Sequence, residues 1–156
     1  MLAPGTQAPD FELKRLEGGK TSLEEILARG PAVVGFFKVS CPVCHRTWPY
    51  LERIHRGGRA AGLQVVGVSQ DGAAETAAYN RELGISFPTL LDDPGAYAAS
   101  NAFGIQSVPS LFVVEADGRI SAAQAGFSKA ALEALGRRVN VTVFGPADRV
   151  PEYQPG

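Results

Sequence analysis

Only two cysteines occur in the 156 residues, and they stand three positions apart in Lys38-Val39-Ser40-Cys41-Pro42-Val43-Cys44. A disulfide between them would close a tiny ring and staple nothing distant, so their value lies in redox chemistry or metal binding. The preceding run, Ala32 to Lys38, is apolar and rich in Val and Phe, which predicts a strand buried on both faces. Pro42 to about Arg56 predicts a helix, with Trp48, Leu51 and Ile54 at helical spacing and Gly57-Gly58 at its end. The motif therefore falls where a strand gives way to a helix. The first turn of a helix offers unpaired N–H groups and a partial positive charge of about half a unit. Both favour an anion at Cys41, and the thiolate is the form that attacks a disulfide. Pro42 suits the first helical position, where its missing N–H costs nothing. Cys44 follows one turn on and more shielded, so Cys41 is the expected nucleophile and Cys44 the resolving thiol. A pair of inert structural cysteines is the competing reading, and a strand-to-helix boundary is the wrong place for one.

Other elements must hold that junction. Pro9-Asp10-Phe11-Glu12-Leu13 and Glu17 to Thr21 predict two short strands about a glycine turn. Ser22, with Glu25 three residues on, predicts a capped helix through Arg29 that Gly30-Pro31 ends. Leu63–Ser69 predicts a second buried strand, Ala73–Leu83 a helix closed by Gly84, Phe87–Leu91 a strand and Gly95–Phe103 a short helix. Leu111–Glu115 and Ile120–Ala125 predict a hairpin across Ala116-Asp117-Gly118. Ser128 caps a last helix to about Val139, and the tail from Asn140, with Val141, Val143 and Phe144, either adds an edge strand or covers the surface. Alternation of strands and helices predicts one α/β domain with βαβ crossovers, and the late hairpin makes its central sheet mixed. Two prolines bear on the junction. Pro49 should kink the helix after Cys44. Val108-Pro109 enters a strand, as an ordinary trans turn or as a cis bond.

Composition narrows the partners. The formal net charge is −1, which points to no nucleic acid and no anionic membrane surface. The basic cluster Arg53, His55, Arg56 and Arg59 is short and reads as the solvated side of a helix. No apolar run reaches the roughly 18 residues of a membrane span. Met1 to Gly5 contains no basic segment followed by an apolar one, so no signal peptide is visible and a cytoplasmic setting is the simple expectation; an exported mature fragment beginning with an added Met would look the same.

Strand, Cys41-Pro42-Val43-Cys44 and a helix with Pro49 five residues later together resemble the thioredoxin superfamily. So do Phe103-Gly104-Ile105-Gln106-Ser107-Val108-Pro109-Ser110, similar to the segment around that family's cis-proline, and Ala125 to Lys129, similar to the entry to its last helix. Ala8-Pro9-Asp10-Phe11-Glu12-Leu13 with Gly18 to Leu23 is similar to the opening of the TlpA/ResA and AhpC/TSA branches. The resemblance covers roughly residues 4 to 139. It implies a thioredoxin-like three-layer α/β fold with an N-terminal β extension and a central strand-helix insertion, placed at Ile85 to Phe103. It implies that Cys41 attacks a partner disulfide, that Cys44 resolves the mixed disulfide, and that Pro109 lies in cis against the pair. The Val108 backbone, with Pro42 and Val43 beside it, would meet the partner's extended chain. The partners implied are protein disulfides or dithiols and an upstream electron donor or acceptor protein, with no bound cofactor and no metal.

The sequence departs from that pattern in three places. Ser40 replaces the aromatic residue often found before the first cysteine. Gly35 stands where thioredoxins have a buried acid, and Thr47 where ResA-like proteins have a Glu. The usual proton acceptor for the resolving thiol is thus missing, with Lys38 and His45 the nearby substitutes as charge or proton modulators. Three rivals remain. A peroxiredoxin-like peroxidase would use Cys44, but it wants Thr or Ser where Cys41 stands and an Arg near Val108 and Pro109. Cys41-Pro42-Val43-Cys44-His45 formally matches a c-type haem attachment site, but the only methionine is Met1. Two thiolates and His45 would suit a soft metal ion, yet with one cysteine pair and two histidines a closed four-ligand zinc site cannot be built from Cys and His close together in sequence. Gly19-Lys20-Thr21 lacks the first glycine of a phosphate loop, which would fall at Lys14. Asn140-Val141-Thr142 is a glycosylation sequon that matters only in a eukaryotic secretory route. Asp92-Asp93 before Pro94-Gly95 predicts a turn.

Overall fold

The run Ala32–Phe37 forms strand β3, and all six of its residues are buried, as a strand of Val and Phe must be when both faces are covered. The computed structural model describes residues 1–156. Before β3 come strands β1 (Glu12–Arg15) and β2 (Lys20–Ser22) and a short helix α1 (Leu23–Leu27) capped by Ser22, whose hydroxyl accepts the Glu25 N–H. After it come α2 (Pro42–Gly58), β4 (Gln64–Ser69), α3 (Ala73–Leu83), β5 (Thr89–Leu91), α4 (Ala98–Ala102), β6 (Ser110–Val114), β7 (Ile120–Ala125), β8 (Phe127–Ser128), α5 (Lys129–Arg138) and β9 (Tyr153–Gln154). Seven strands make one sheet in the order β2-β1-β5-β4-β3-β6-β7, while β8 and β9 form a separate pair. β3, β4 and β5 run parallel; β6 is antiparallel to β3, and β1 to β5, so the sheet is mixed.

Alternation along β3 divides the interior into two cores. Val33 and Phe37 face a cluster with Trp48, Leu51 and Ile54 of α2, Tyr79 of α3 and Leu132 and Leu135 of α5. Ala32, Val34 and Phe36 face a second with Leu23 and Ile26 of α1, Phe103 and Phe112. The result is a three-layer α/β fold of the thioredoxin type, with β1 and β2 as the N-terminal β extension. β5 and α4 both fall within residues 85–103. Each fully buried large side chain contributes about 1.5–3 kcal/mol relative to exposure, so Trp48 and Phe37, with ring centroids 4.5 Å apart, fasten α2 to the sheet directly beneath the cysteines. No helix is long and apolar enough to cross a membrane.

Several expectations need correction. Gly57 and Gly58 stand at the end of α2 as expected, but as its last two helical residues and not beyond it. They are there for close approach: a Cβ on Gly57 would lie 2.6 Å from Val141 Cγ2, and one on Gly58 2.8 Å from Val139 Cγ2. Gly62, with φ +80°, closes the following 3-10 turn. The first two strands sit one to three residues later than predicted, because the Gly18-Gly19 turn pairs Lys14 with Lys20. Helix α4 is shorter than predicted, because Tyr97 takes a left-handed backbone (φ 47°) that cannot belong to a helix. Asp93 carries the expected turn, its carbonyl accepting Ala96 N at 3.1 Å and Tyr97 N at 2.8 Å. Asp92 is instead a buried cap, accepting Ala99 N, Ser100 N and Ser100 Oγ at 3.1, 2.8 and 2.7 Å. Arg53 is not a solvated bystander: it binds the Val143 carbonyl at 2.9 Å and Asp148 at 2.7 Å, clasping the tail.

The tail both covers and pairs. Val143 is buried in the first core, Phe144 lies 4.6 Å from the Tyr50 ring, and β9 pairs antiparallel with β8. Gly136 permits this, since a Cβ there would lie 2.5 Å from both Val141 O and Val143 Cγ2. Ala is the better helix former by up to about 1 kcal/mol, but the overlap outweighs it. Gly136→Ala is expected to destabilise the protein by about 1–3 kcal/mol, read by denaturant unfolding. The tail and hairpin also carry an acid sensitivity. Arg53 holds the Asp148 carboxyl down to about 2 from 3.8, and Arg138, then Ser121, hold Glu115 down to about 2 from 4.5. Depressed carboxyl values mean stability present above the unfolded values and lost as pH falls through the folded ones. The melting temperature should therefore fall between about pH 4.5 and 2, and less steeply in Glu115→Gln, in a melting series over that range.

Candidate active site

Cys41 is the N-cap of α2. Its backbone is extended (φ −87°, ψ 113°), its N–H is tied to the Lys38 carbonyl at 3.2 Å, and its Sγ accepts the Cys44 N–H at 3.1 Å. A sulfur thus occupies the place usually taken by a Ser or Asp oxygen, facing the free amides of the first turn. Pro42 sits at the first helical position, as its ring requires. On its other side the Cys41 thiol donates to the Val108 carbonyl at 3.4 Å. The Val108–Pro109 peptide is cis. Once Cys41 ionises it no longer donates, and the Val108 carbonyl is left able to accept from another group. A shallow depression of about 330 Å³ opens here, lined by Val39, Ser40, Cys41, Pro42 and His45.

Burial separates the two free thiols. Cys41 is part-exposed, whereas Cys44 is 0% exposed. Burial foremost, then its hydrogen bond with Cys41, pushes the Cys44 thiol well up, while the Lys38 backbone amide opposes this. A buried thiol beside a capped one is the arrangement in which the outer sulfur meets a partner and the inner one waits.

The sequence-derived site residues are partly reunited. Cys41, Cys44, Val108 and Pro109 converge, and Pro42 is exposed at the rim. Val43 is not available to a partner: it is 7% exposed, because the helical turn points it into the first core. Lys38 reaches the site through its backbone. His45 faces the depression but turns its imidazole to Glu82 at 3.9 Å and packs edge-on to Tyr79 at 5.6 Å.

The two missing acids have physical explanations. A Cβ on Gly35 would lie 3.0 Å from Leu111 Cδ2 and 3.1 Å from the Trp48 ring, so Trp48 fills the volume an acid would need. Thr47 is fully buried and donates to its own helix at Val43 O, 2.7 Å away. Two residues near the thiols escaped the sequence reading. The Asp71 carboxylate accepts the Val39 N–H at 2.8 Å and adds to the upward push on Cys44. Tyr79 is buried with its hydroxyl unpartnered, and burial and then the two thiols push it up. A signal for Asp71 was present: β3 and β4 are parallel, so the loops after both reach the same sheet edge.

Comparison with known proteins agrees with this geometry. The AhpC/TSA family model matches residues 4–123. The candidate peroxiredoxin Rv2521 of Mycobacterium tuberculosis H37Rv is 34% identical over 134 residues, covering 79% of this chain and 85% of its own. The thiol-disulfide oxidoreductase ResA of Halalkalibacterium halodurans is 27% identical over 117 residues, covering 74% of this chain and 65% of its own. Among solved structures, a candidate thiol:disulfide interchange protein DsbE of Chlorobium tepidum superposes with a TM-score of 0.78 at 23% identity, over 90% of this chain and 97% of that one. With a thioredoxin-type sheet, a capped Cys41 beside a buried Cys44, and a family match across most of its length, the chain belongs to the AhpC/TSA family and is a TlpA/ResA-like member of the thioredoxin superfamily.

Proposed function

We propose that this protein is a thiol-disulfide oxidoreductase that exchanges its Cys41–Cys44 dithiol for a disulfide in protein partners. One observation carries the proposal: Cys41 Sγ caps α2 at 3.1 Å from the Cys44 amide, at the rim of a depression, with Cys44 buried behind it. The Cys41 thiolate attacks one sulfur of a partner disulfide; the partner's S–S bond breaks, its other sulfur leaves as a thiolate, and a mixed disulfide forms. Cys44 then loses its proton and attacks Cys41 Sγ, releasing the second partner sulfur. Two electrons pass from the protein dithiol to the partner, and the reverse sequence oxidises a partner dithiol. Burial keeps Cys44 protonated at rest, so resolution waits on removal of that proton. Asp71 is the carboxylate whose charge Cys44 feels, and that charge adds to the upward push on the thiol.

A peroxidase reading is favoured by the 34% identical relative that bears a peroxiredoxin name. In it Cys44 would attack the peroxide. Burial that drives the Cys44 thiol upward opposes a reactive thiolate there, and Val108 and Pro109 occupy the position from which an Arg would act.

The roles separate by trapping. Cys44→Ser should accumulate mixed disulfides through Cys41 and Cys41→Ser none, read by alkylation and intact mass; the opposite pattern would exchange the two assignments. Since a raised thiol pKa makes the thiolate fraction grow about tenfold per pH unit below it, resolution of a preformed Cys41 mixed disulfide should accelerate from pH 6 to 9 in stopped flow. A pH-independent rate would contradict proton loss at Cys44 as the controlling event. Saturating peroxide turnover that needs Cys44 and survives Cys41→Ser would establish the peroxidase reading instead.

A further inference from the structure

Residues 153–156 of the tail lie against the active site. From Asn140 it is laid along α2 and α5 and held by the Arg53–Asp148 clasp, by the Asp148 carboxylate on the Gly145 N–H at 2.7 Å, and by Phe144 against Tyr50 and Phe127. Beyond Pro151 it pairs with β8: Lys129 N donates to Glu152 O at 3.0 Å, and Phe127 and Ser128 face Gln154 and Tyr153. Two glycines mark the closest approach. A Cβ on Gly126 would lie 2.6 Å from Gln154 O and 3.2 Å from Pro155 Cα, and one on Gly156 would overlap the Val108 carbonyl and lie 3.3 Å from Pro109 Cδ. That same carbonyl is the hydrogen-bond partner of Cys41 Sγ.

We propose that residues 153–156 are a displaceable strap that occupies the edge beside Cys41 and competes with extended polypeptide partners. This rests on the exchange function proposed above. A small disulfide can reach a part-exposed sulfur from the open side. A polypeptide must also lay several residues of backbone next to Cys41, and the nearest acceptors, Val108 O and the β8 edge, are covered by the tail. The strap copies how such a partner binds, by adding a short extended segment to a strand edge. Its base is firm but its end is weak: a two-residue ladder is marginal alone, and Glu152, Tyr153, Pro155 and Gly156 are exposed. A partner that pairs with more of the edge therefore displaces it.

Two substrates with the same leaving group test this: hydroxyethyl disulfide, and a decapeptide whose single cysteine is disulfide-bonded to 2-mercaptoethanol. Rate constants for Cys41 are compared in the full chain, in a chain lacking residues 152–156, and in full-length Gln154→Pro, where a ladder donor is lost. The peptide rate should rise roughly five- to fifty-fold in both variants, as for a strap open about a fifth to a fiftieth of the time, with the hydroxyethyl disulfide rate within about twofold of the full chain. Unchanged peptide rates, or equal acceleration of both substrates, would overturn the strap while leaving the exchange function standing. Failure of Cys41 to react with hydroxyethyl disulfide in every protein would instead overturn the exchange function and the strap with it. A second measurement avoids altering the tail. In Cys44→Ser, hydrogen exchange at Tyr153 and Gln154 should lose protection when Cys41 carries the decapeptide and keep it when Cys41 carries mercaptoethanol; protection kept in both adducts refutes displacement.

Discussion

A sulfur held at the open end of a helix is the interaction from which the rest of this structure takes its purpose. Cys41 Sγ accepts the Cys44 N–H and faces the first turn of α2, where backbone donors have no helical partner. That geometry exists because β3 delivers the chain to the edge of the sheet and α2 starts within five residues of its end. The two are locked by apolar packing: Phe37 is the last residue of β3, and Trp48 lies on the inward face of α2, with ring planes tilted by 39°. Loosening this contact would let the helix end drift from Val108, and the sulfur would lose its neighbour across the site.

Burial then divides the labour between two chemically identical side chains. One helical turn moves Cys44 from the rim into the core, where losing water costs a thiolate several kcal/mol. The same packing explains the missing acids. Trp48 takes the space beneath Gly35, so no carboxylate fits there, and Thr47 satisfies itself on its own helix. Charge near Cys44 comes instead from Asp71, at the end of the neighbouring parallel strand and fixed by the Val39 amide. A carboxylate serving from the next loop reaches the thiols from another direction than one on β3 or α2 and leaves the apolar contact between those elements intact.

The tail ties stability to access. Gly57, Gly58 and Gly136 are bare so that residues 139–143 can lie against two helices, and Arg53 clasps Asp148 across that seam. The firm part of the tail thereby aims its weak end at Val108. An intramolecular strap needs little intrinsic affinity, because its effective concentration beside the site is high, and an intermolecular partner must exceed it through a longer pairing edge.

Local patterns sufficed for much of this. The apolar run into Cys41-Pro42-Val43-Cys44, the helical spacing of Trp48, Leu51 and Ile54, and the Asp-Gly hairpin signal placed the nucleophile at a strand-to-helix junction, because periodicity and capping depend on near neighbours. The proline segment at Val108-Pro109 was legible as a motif, though not its isomer. What sequence could not decide were contacts between residues far apart in the chain. The shielding of Cys44 followed from its place one turn on, but only the orientation of α2 on the sheet turned Val43 inward beside it. Gly57 and Gly58 read only as a helix stop because local signals cannot reveal Val139 and Val141 pressing on them. Arg53 read as solvated because its partner is 95 residues away. The route of residues 140–156 to the Val108 carbonyl was decided by tertiary packing alone, since a two-residue strand has no pattern of its own and takes its position from the edge that receives it.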